Sequence, residues 1–276
     1  MSKFKTRFDP QQVLFEQTET AHAGKDVRDG HVYVYTSKTV LAIQVAMATG
    51  RPLLLHGPAG CGKSSLAAFA ARTMNWNYIE QVITSRTRAQ DIQWTFDALS
   101  QLKDARINKL KKIESYVQPQ ALWWAINPET AARRGWPVGQ KKPSGFQAAK
   151  HPGELRSPKH PSVVLLDEID KADPDVPNDM LVALGSLQFR VTESERDVKA
   201  RQDLPLPLII ITTNNERSLP RAFLRRCVVH KIEPPQEDLL EDIAKAHFGD
   251  DSEDQVKLYQ DVIKILRAYR AEEEKT

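Results

Sequence analysis

The stretch Gly57-Pro58-Ala59-Gly60-Cys61-Gly62-Lys63-Ser64 fits the pattern G-x-x-x-x-G-K-[ST] without a gap, and leaves this chain few folds to choose from. The apolar run Pro52-Leu53-Leu54-Leu55-His56 precedes it, and Ser65-Leu66-Ala67-Ala68-Phe69-Ala70-Ala71, a good helix former, follows. Strand, glycine loop and helix in that order make a phosphate cradle. Glycines let backbone N–H groups converge on phosphate oxygens, and the helix N-terminus adds its positive dipole end. Gly57, Pro58, Ala59, Gly60, Cys61, Gly62, Lys63, Ser64 and Ser65 are therefore the expected contacts of a nucleoside triphosphate. Lys63 is expected to reach the β- and γ-phosphates, and the Ser64 hydroxyl to ligate Mg²⁺.

Further runs of strand length lie at 78–83, 163–166, 208–211 and 228–232, each flanked by turn or helix signals. Runs this uniformly apolar are what strands covered on both faces look like. With 53–55 they predict a mostly parallel sheet inside helices, an α/β fold. A helix is expected over Val40–Met47, capped by Thr36 or Ser37 and ended by Gly50. Residues 1–30 are polar, broken by Pro10, Gly24 and Gly30, and read as an extension outside the core. Pro234-Pro235 reads as a hinge to a partial helical lid over 234–276, with helical segments at 238–248 and about 254–269.

Between the second and third of these strands the rhythm breaks. An amphipathic helix is expected through Leu99, Leu102, Ile107, Leu110 and Ile113, and a long loop over 134–161. This insert, about 97–161, is basic: Lys109, Lys111, Lys112, Arg133, Arg134, Lys141, Lys142, Lys150 and Arg156 dominate it. A nucleic-acid surface is one reading and is not favoured, because no aromatic-interleaved or helix-turn-helix pattern accompanies the charge. A solvated face, or a basic face meeting the acidic tail of a neighbouring subunit, are the others. Trp123 and Trp124 either form a binding surface or pack the insert on the core.

The chain has 276 residues, enough for one large domain or two modest ones. Cys61 and Cys227 are its only cysteines, so neither a disulfide framework nor zinc spacing is present. A cytoplasmic setting is expected, since the start lacks the apolar segment of a secretory signal. No apolar run approaches the roughly 20 residues that span a bilayer, so no membrane partner is expected.

Val163-Val164-Leu165-Leu166-Asp167-Glu168 puts two carboxylates where a buried strand ends, beside the place where open α/β sheets bind ligands. Asp167 fits as the Mg²⁺-associated carboxylate, directly or through water. Glu168 fits as the group that orients and polarises attacking water. Another strand ends in Thr212-Thr213-Asn214-Asn215, where an amide can meet the γ-phosphate or the water. Leu224-Arg225-Arg226 then brings paired guanidinium groups, whose forks match phosphate oxygens.

This order of motifs resembles an AAA+ ATPase, and more closely its MoxR-like branch, over 32–234 plus part of a lid. The resemblance implies a P-loop NTPase core with a central parallel five-stranded sheet between helices and a small, incomplete C-terminal helical lid. It implies ATP and Mg²⁺ as cofactors, and an insert near the second core helix, which 97–116 would supply. A hairpin over about 188–200 fits the family's pre-sensor hairpin. By resemblance Asn214 is the sensor of the γ-phosphate. Arg226, or as second choice Arg225, is the finger reaching a neighbour's nucleotide, which implies a homo-oligomeric ring, typically a hexamer. Family members remodel or activate a protein client, commonly with a partner bearing a von Willebrand factor A domain. An ATP-gated assembly switch and a nucleic-acid-linked motor of a defence or restriction system are the rival readings. Two departures stand out: Arg267 and Arg270 sit in no clear lid sensor motif, and Cys61 replaces a frequent Thr. A thiol there is either a plain small residue or one acidified by the helix N-terminus.

Overall fold

A computed structural model describes residues 8–10, 30, 32–153, 156–248 and 256–265. Five parallel strands form its central sheet in the order β2 (Asn77–Val82), β5 (Ser162–Asp167), β8 (Leu208–Thr213), β1 (Leu53–His56), β9 (Val228–Lys231). Alternation along these strands explains their uniform apolarity. Leu54, Ile79, Val164, Leu166, Ile209 and Ile211 face one hydrophobic cluster, while Leu53, Leu55, Val163, Leu165, Leu208 and Ile210 face another. Both faces are buried, so both sets must be apolar.

Helix α1 (Ser37–Thr49) starts where Thr36 Oγ1 accepts a hydrogen bond from the Thr39 N–H at 3.2 Å, and Gly50 ends it. It packs with α2 (Lys63–Thr73) on the Leu53 face, where Tyr33 and Tyr35 pack against the Phe69 ring. Phe8 is 1% exposed in the same cluster, so the segment expected to lie outside the core contributes a core side chain. Its carbonyl accepts from Gln44 Nε2 at 3.0 Å. Most of 1–30 lies outside the described residues.

The opposite face is covered by α4 (Ala121–Ile126), α5 (Pro128–Ala132) and α6 (Val176–Ser186). All six residues of α4 are buried; Trp123 and Trp124 are 0% and 2% exposed. They pack the core and form no exposed surface. Trp123 lies edge-on to Phe189 at 5.7 Å and donates Nε1–H to Thr130 Oγ1 at 3.0 Å.

The segment 97–161 does not protrude as one unit. Only its first part does: β3 (Trp94–Phe96) pairs antiparallel with β4 (Val117–Pro119), and α3 (Ala98–Arg106) between them buries no residue. The 133–161 stretch has neither helix nor strand among its described residues, yet it is pinned. Arg134 Nη1 donates to the Val117 carbonyl at 2.6 Å, and its Nε to that of Gln147 at 3.0 Å. Arg133 donates to the carbonyls of Trp136, Pro137 and Gln140. From the sheet edge, fully buried Asn77 donates to the carbonyls of Ser157 and His160 and accepts from the N–H groups of Arg156 and Ser157. Two cations counted in the basic patch thus serve the loop's own backbone.

The hairpin β6 (Gln188–Val191) and β7 (Arg196–Lys199) turns at 192–195 and docks on the insert's base. Trp94 stacks on Phe189 at 5.4 Å and donates Nε1–H to Glu193 Oε2 at 2.8 Å. Buried Glu114 accepts from Arg196 Nη2 at 3.1 Å. Trp94→Phe keeps the stack but removes the charge-assisted bond. Chemical denaturation should show about 1 kcal/mol lost, with Glu193 only half-buried.

After a short helix α7 (Arg221–Leu224), β9 leads to the lid helix α8 (Glu237–Phe248) and a helix over 256–265. Ala244, Tyr259 and Ile263 form a small separate cluster there. Arg267 and Arg270 lie outside the described residues. No helix among the described residues is long and apolar enough to cross a membrane.

Candidate nucleotide site

The glycine loop joins the C-terminal end of β1 to α2. Gly62 is the helix N-cap with φ 86, a left-handed backbone that a side chain resists, and a Cβ there would sit 3.3 Å from the Tyr33 ring. At Gly57 a Cβ would collide with the Ile232 carbonyl oxygen. Lys63 is buried, and its Nζ donates to the carbonyls of Gly57 at 2.8 Å and Pro58 at 2.7 Å. The ammonium is thereby held inside the curve of the loop. Cys61 Sγ lies 3.8 Å from the same Nζ.

Ser64 Oγ donates to Asp167 Oδ1 at 2.8 Å, bringing together the two residues expected at Mg²⁺. Among the described residues no group of three His, Cys, Asp or Glu could hold a metal. One hydroxyl and one carboxylate are a sparse, all-oxygen set. That chemistry fits Mg²⁺, which keeps waters and takes substrate phosphates as ligands in place of a full protein cage.

Thr212, in β8, donates Oγ1–H to Asp167 Oδ1 at 2.5 Å and accepts from the Glu168 N–H at 2.9 Å. It fixes both acidic residues from the neighbouring strand. Glu168 has φ 63 and ψ 50, a left-handed conformation costing on the order of 1 kcal/mol for a side-chain-bearing residue. Glu168 Oε2 accepts from Lys171 Nζ at 2.7 Å. That bond, more than the nearby carboxylates, raises the Lys171 pKa.

Asn214 stands half-buried just past the end of β8. Its backbone N–H donates to Asp170 Oδ2 at 3.1 Å, as does that of Glu216 at 3.0 Å. Buried Asp170 therefore anchors this strand end. Asn215, at φ 61, places Nδ2 3.5 Å from His56 Nδ1. Burial first, then the ammonium groups of Lys231 and Lys63, holds His56 below its ordinary pKa.

Arg225 and Arg226 are exposed at the other end of the sheet. Leu53 pairs with Val228 and His56 with Lys231, so residues just before Val228 lie beside the start of β1, while the glycine loop follows its end. Four strand residues, roughly 13 Å at about 3.3 Å each, separate them from their own loop. Arg51 braces this corner, donating Nε–H to the Arg226 carbonyl at 3.1 Å and a second N–H to that of Arg225. Neither Arg225 nor Arg226 has a side-chain partner among the described residues.

A cavity of about 810 Å³ opens beside the loop, within the size range of small-molecule sites. Val32, Tyr33 and Val34 line one wall, Gly60, Cys61 and Gly62 the floor, and Ile232, Pro234, Leu239 and Ile243 the lid side. Burial, reinforced by Cys61, drives the Tyr33 pKa up, so its hydroxyl stays neutral. His230 in the wall lies 3.2 Å from Thr39 Oγ1, and burial, then His56 and Lys38, holds it below its ordinary pKa.

Thr212, Lys171, Arg51 and Tyr33 were not legible as site residues from the sequence. Thr212 stands in the strand end Thr212-Thr213-Asn214-Asn215 with nothing in sequence to mark its bridge to the acidic pair, and Lys171 has only its place three residues after Glu168 as a signal.

Residues 52–227 match the AAA domain of the dynein-related subfamily. No curated protein matches the chain. Among solved structures it is similar to an inferred ATPase from Cytophaga hutchinsonii, at 14% identity and TM-score 0.44, over 82% of this chain and 57% of that one. It is also similar to the Thermotoga maritima RuvB Holliday junction branch migration motor, at 17% identity and TM-score 0.38, over 76% of this chain and 47% of that one. A mutant of the same RuvB gives 18% identity and TM-score 0.40, over 76% and 48%. The chain thus spans about half the length of these structures. With the phosphate loop, the acidic strand end and four of the five strands of the parallel sheet inside the matched region, this chain belongs to the dynein-related subfamily of AAA domains, within the AAA+ P-loop NTPases.

Proposed function

We propose that this chain is a MoxR-like AAA+ ATPase that hydrolyses ATP in a ring, typically hexameric, and uses the turnover to remodel or activate a protein partner. The observation that carries the reading is the 2.8 Å contact of Ser64 with Asp167 beside the loop-held Lys63, with Glu168 next in the chain. The glycine loop and Lys63 bind the triphosphate, and the cavity beside the loop, walled by both apolar and polar side chains, takes the base. Ser64 and Asp167 would hold Mg²⁺, which would neutralise charge on the triphosphate. Glu168 accepts a hydrogen bond from water and aims it at the γ-phosphorus, while Asn214 reads the γ-phosphate. Arg226, or Arg225, enters the site of the adjacent subunit, where its fixed charge stabilises the transferring phosphoryl group. Calorimetric titration with Mg·ATP tests the first step; phosphate release tests the second.

The partner surface in this reading is the α3 tip. Leu99 is 81% exposed and Leu102, Ile107 and Leu110 are exposed beside Lys103, Arg106, Lys109, Lys111 and Lys112. Four exposed aliphatic side chains among cations favour a protein partner over nucleic acid, which offers an aliphatic surface little. A von Willebrand factor A domain is the candidate that the family resemblance suggests. Replacing Leu99 and Leu102 together by serine should change Mg·ATP affinity by no more than about twofold, as surface substitutions away from a site do. Ring assembly, read by sedimentation, or partner-stimulated turnover should weaken. A loss of ATP affinity with assembly and stimulation intact would mean that α3 serves the nucleotide instead. Turnover stimulated by DNA or RNA with a steep salt dependence would favour the nucleic-acid motor. ATP-dependent assembly with negligible turnover would favour the switch.

A further inference from the structure

We infer that Lys171 is a positioning residue for Glu168: it tethers one carboxylate oxygen and so aims the other at the attacking water. The inference rests on the hydrolytic reading of Glu168 above. The 3-10 turn Ile169–Lys171, with the Lys171 N–H donating to the Glu168 carbonyl at 3.0 Å, folds the lysine side chain back over the strand end. Its Nζ then meets Glu168 Oε2 at 2.7 Å.

Two features separate this pair from an ordinary surface ion pair. The first is the backbone beneath it. Glu168 is held left-handed, its N–H fixed by Thr212 Oγ1, and that hydroxyl also donates to Asp167. The base of the Glu168 side chain is therefore set relative to the Mg²⁺ carboxylate, leaving its own torsions as the remaining freedom. Lys171 removes that freedom at the far end. The second feature is choice of partner. Asp170 and Glu216 also surround Lys171 with negative charge, yet its short hydrogen bond goes to Glu168. Asp170 gives Oδ2 to the N–H groups of Asn214 and Glu216, and its buried Oδ1 takes no hydrogen bond from Lys171. Glu168 Oε1 has no partner among the described residues and is left to accept from water. A glutamate with several open rotamers would present that oxygen correctly only part of the time, and small misplacements of a reacting group are costly in rate. Lys171 is half-exposed, so its removal leaves no buried cavity.

The test compares wild type, Lys171→Met, Lys171→Arg, Glu168→Gln and the double variant Glu168→Gln/Lys171→Met, each with Mg·ATP. Lys171→Met should lower kcat roughly ten- to a hundredfold, with KM and calorimetric ATP affinity unchanged. Lys171→Arg should restore part of kcat, because a guanidinium reaches the same oxygen. In the Glu168→Gln background, removing Lys171 should cost nothing further, since the two act as one unit. An unchanged kcat in Lys171→Met would overturn the inference, making the pair a solvated contact. A raised kcat would overturn it in the other direction, with Lys171 holding Glu168 away from water. Weakened ATP affinity without a kcat change would assign Lys171 to nucleotide binding. Failure of the parent reading looks different: wild type would then hydrolyse no ATP, or Glu168→Gln would match it.

Discussion

Lys63→Ala is expected to lower Mg·ATP affinity by at least 100-fold, while Glu168→Gln leaves affinity near that of wild type and sharply lowers turnover. The difference follows from when each group acts. In the proposed mechanism Lys63 neutralises phosphate charge in the ground state, and a charge-assisted hydrogen bond of this kind is worth about 1.5–3 kcal/mol. Two of them, to the β- and γ-phosphates, amount to roughly two to four decades of affinity at about 1.4 kcal/mol per decade. Lys63 already lies within the curve of the loop on the carbonyls of Gly57 and Pro58, so its ammonium needs only to turn to the phosphates. Glu168, in the same mechanism, acts on water only during the reaction, and its glutamine isostere keeps shape and size. The expected fall in kcat is about 10²–10³-fold, the magnitude typical for one preorganised group at a reacting centre. Calorimetry and phosphate release on the same preparations separate the two effects. Equal loss of affinity in both variants would contradict these roles.

Arg226→Ala should bind Mg·ATP normally and lose about 10³-fold in kcat, the lower end of what an arginine finger contributes. The geometry argues for action between subunits. Arg225 and Arg226 sit at the opposite end of β1 from their own loop, exposed and clamped through their carbonyls by Arg51. Mixing Arg226→Ala with Glu168→Gln should recover some turnover, because a mixed ring contains sites with both Glu168 and a neighbour's Arg226. Arg225→Ala serves as the comparison. A larger loss there than in Arg226→Ala would transfer the finger to the preceding residue.

Much of this molecule was legible in the sequence wherever one physical constraint acts on contiguous residues. Val163-Val164-Leu165-Leu166 is apolar at every position because alternate residues enter clusters on opposite sheet faces. The glycine loop is legible because positive φ at Gly62 and the close carbonyl at Gly57 exclude side chains. The hairpin expected over about 188–200 rests on the family resemblance together with two short runs around Glu193-Ser194-Glu195, and β6 pairs with β7 there.

Other features depend on partners distant in the chain. The charges of Arg133 and Arg134 suggest a solvated or binding face, but loop carbonyls, and that of Val117 in β4, take their donors. Trp123 and Trp124 lie in a run apolar enough for core or interface, and only Phe189 and the sheet decide for core. The strands β3 and β4, three residues each, are too short to show periodicity. Thr212 resembles its strand neighbours in sequence, and its bridge between Asp167 and Glu168 arises from pairing β5 with β8.

The most direct test is phosphate release from Mg·ATP per mole of protein, measured across concentrations that carry the chain from monomer to assembly, with Glu168→Gln alongside. A nucleotide site completed by a neighbour predicts specific activity that rises with assembly and is about 10²–10³-fold lower in Glu168→Gln at every concentration. Specific activity independent of concentration, or no release above the Glu168→Gln blank from a fully assembled ring, would contradict it.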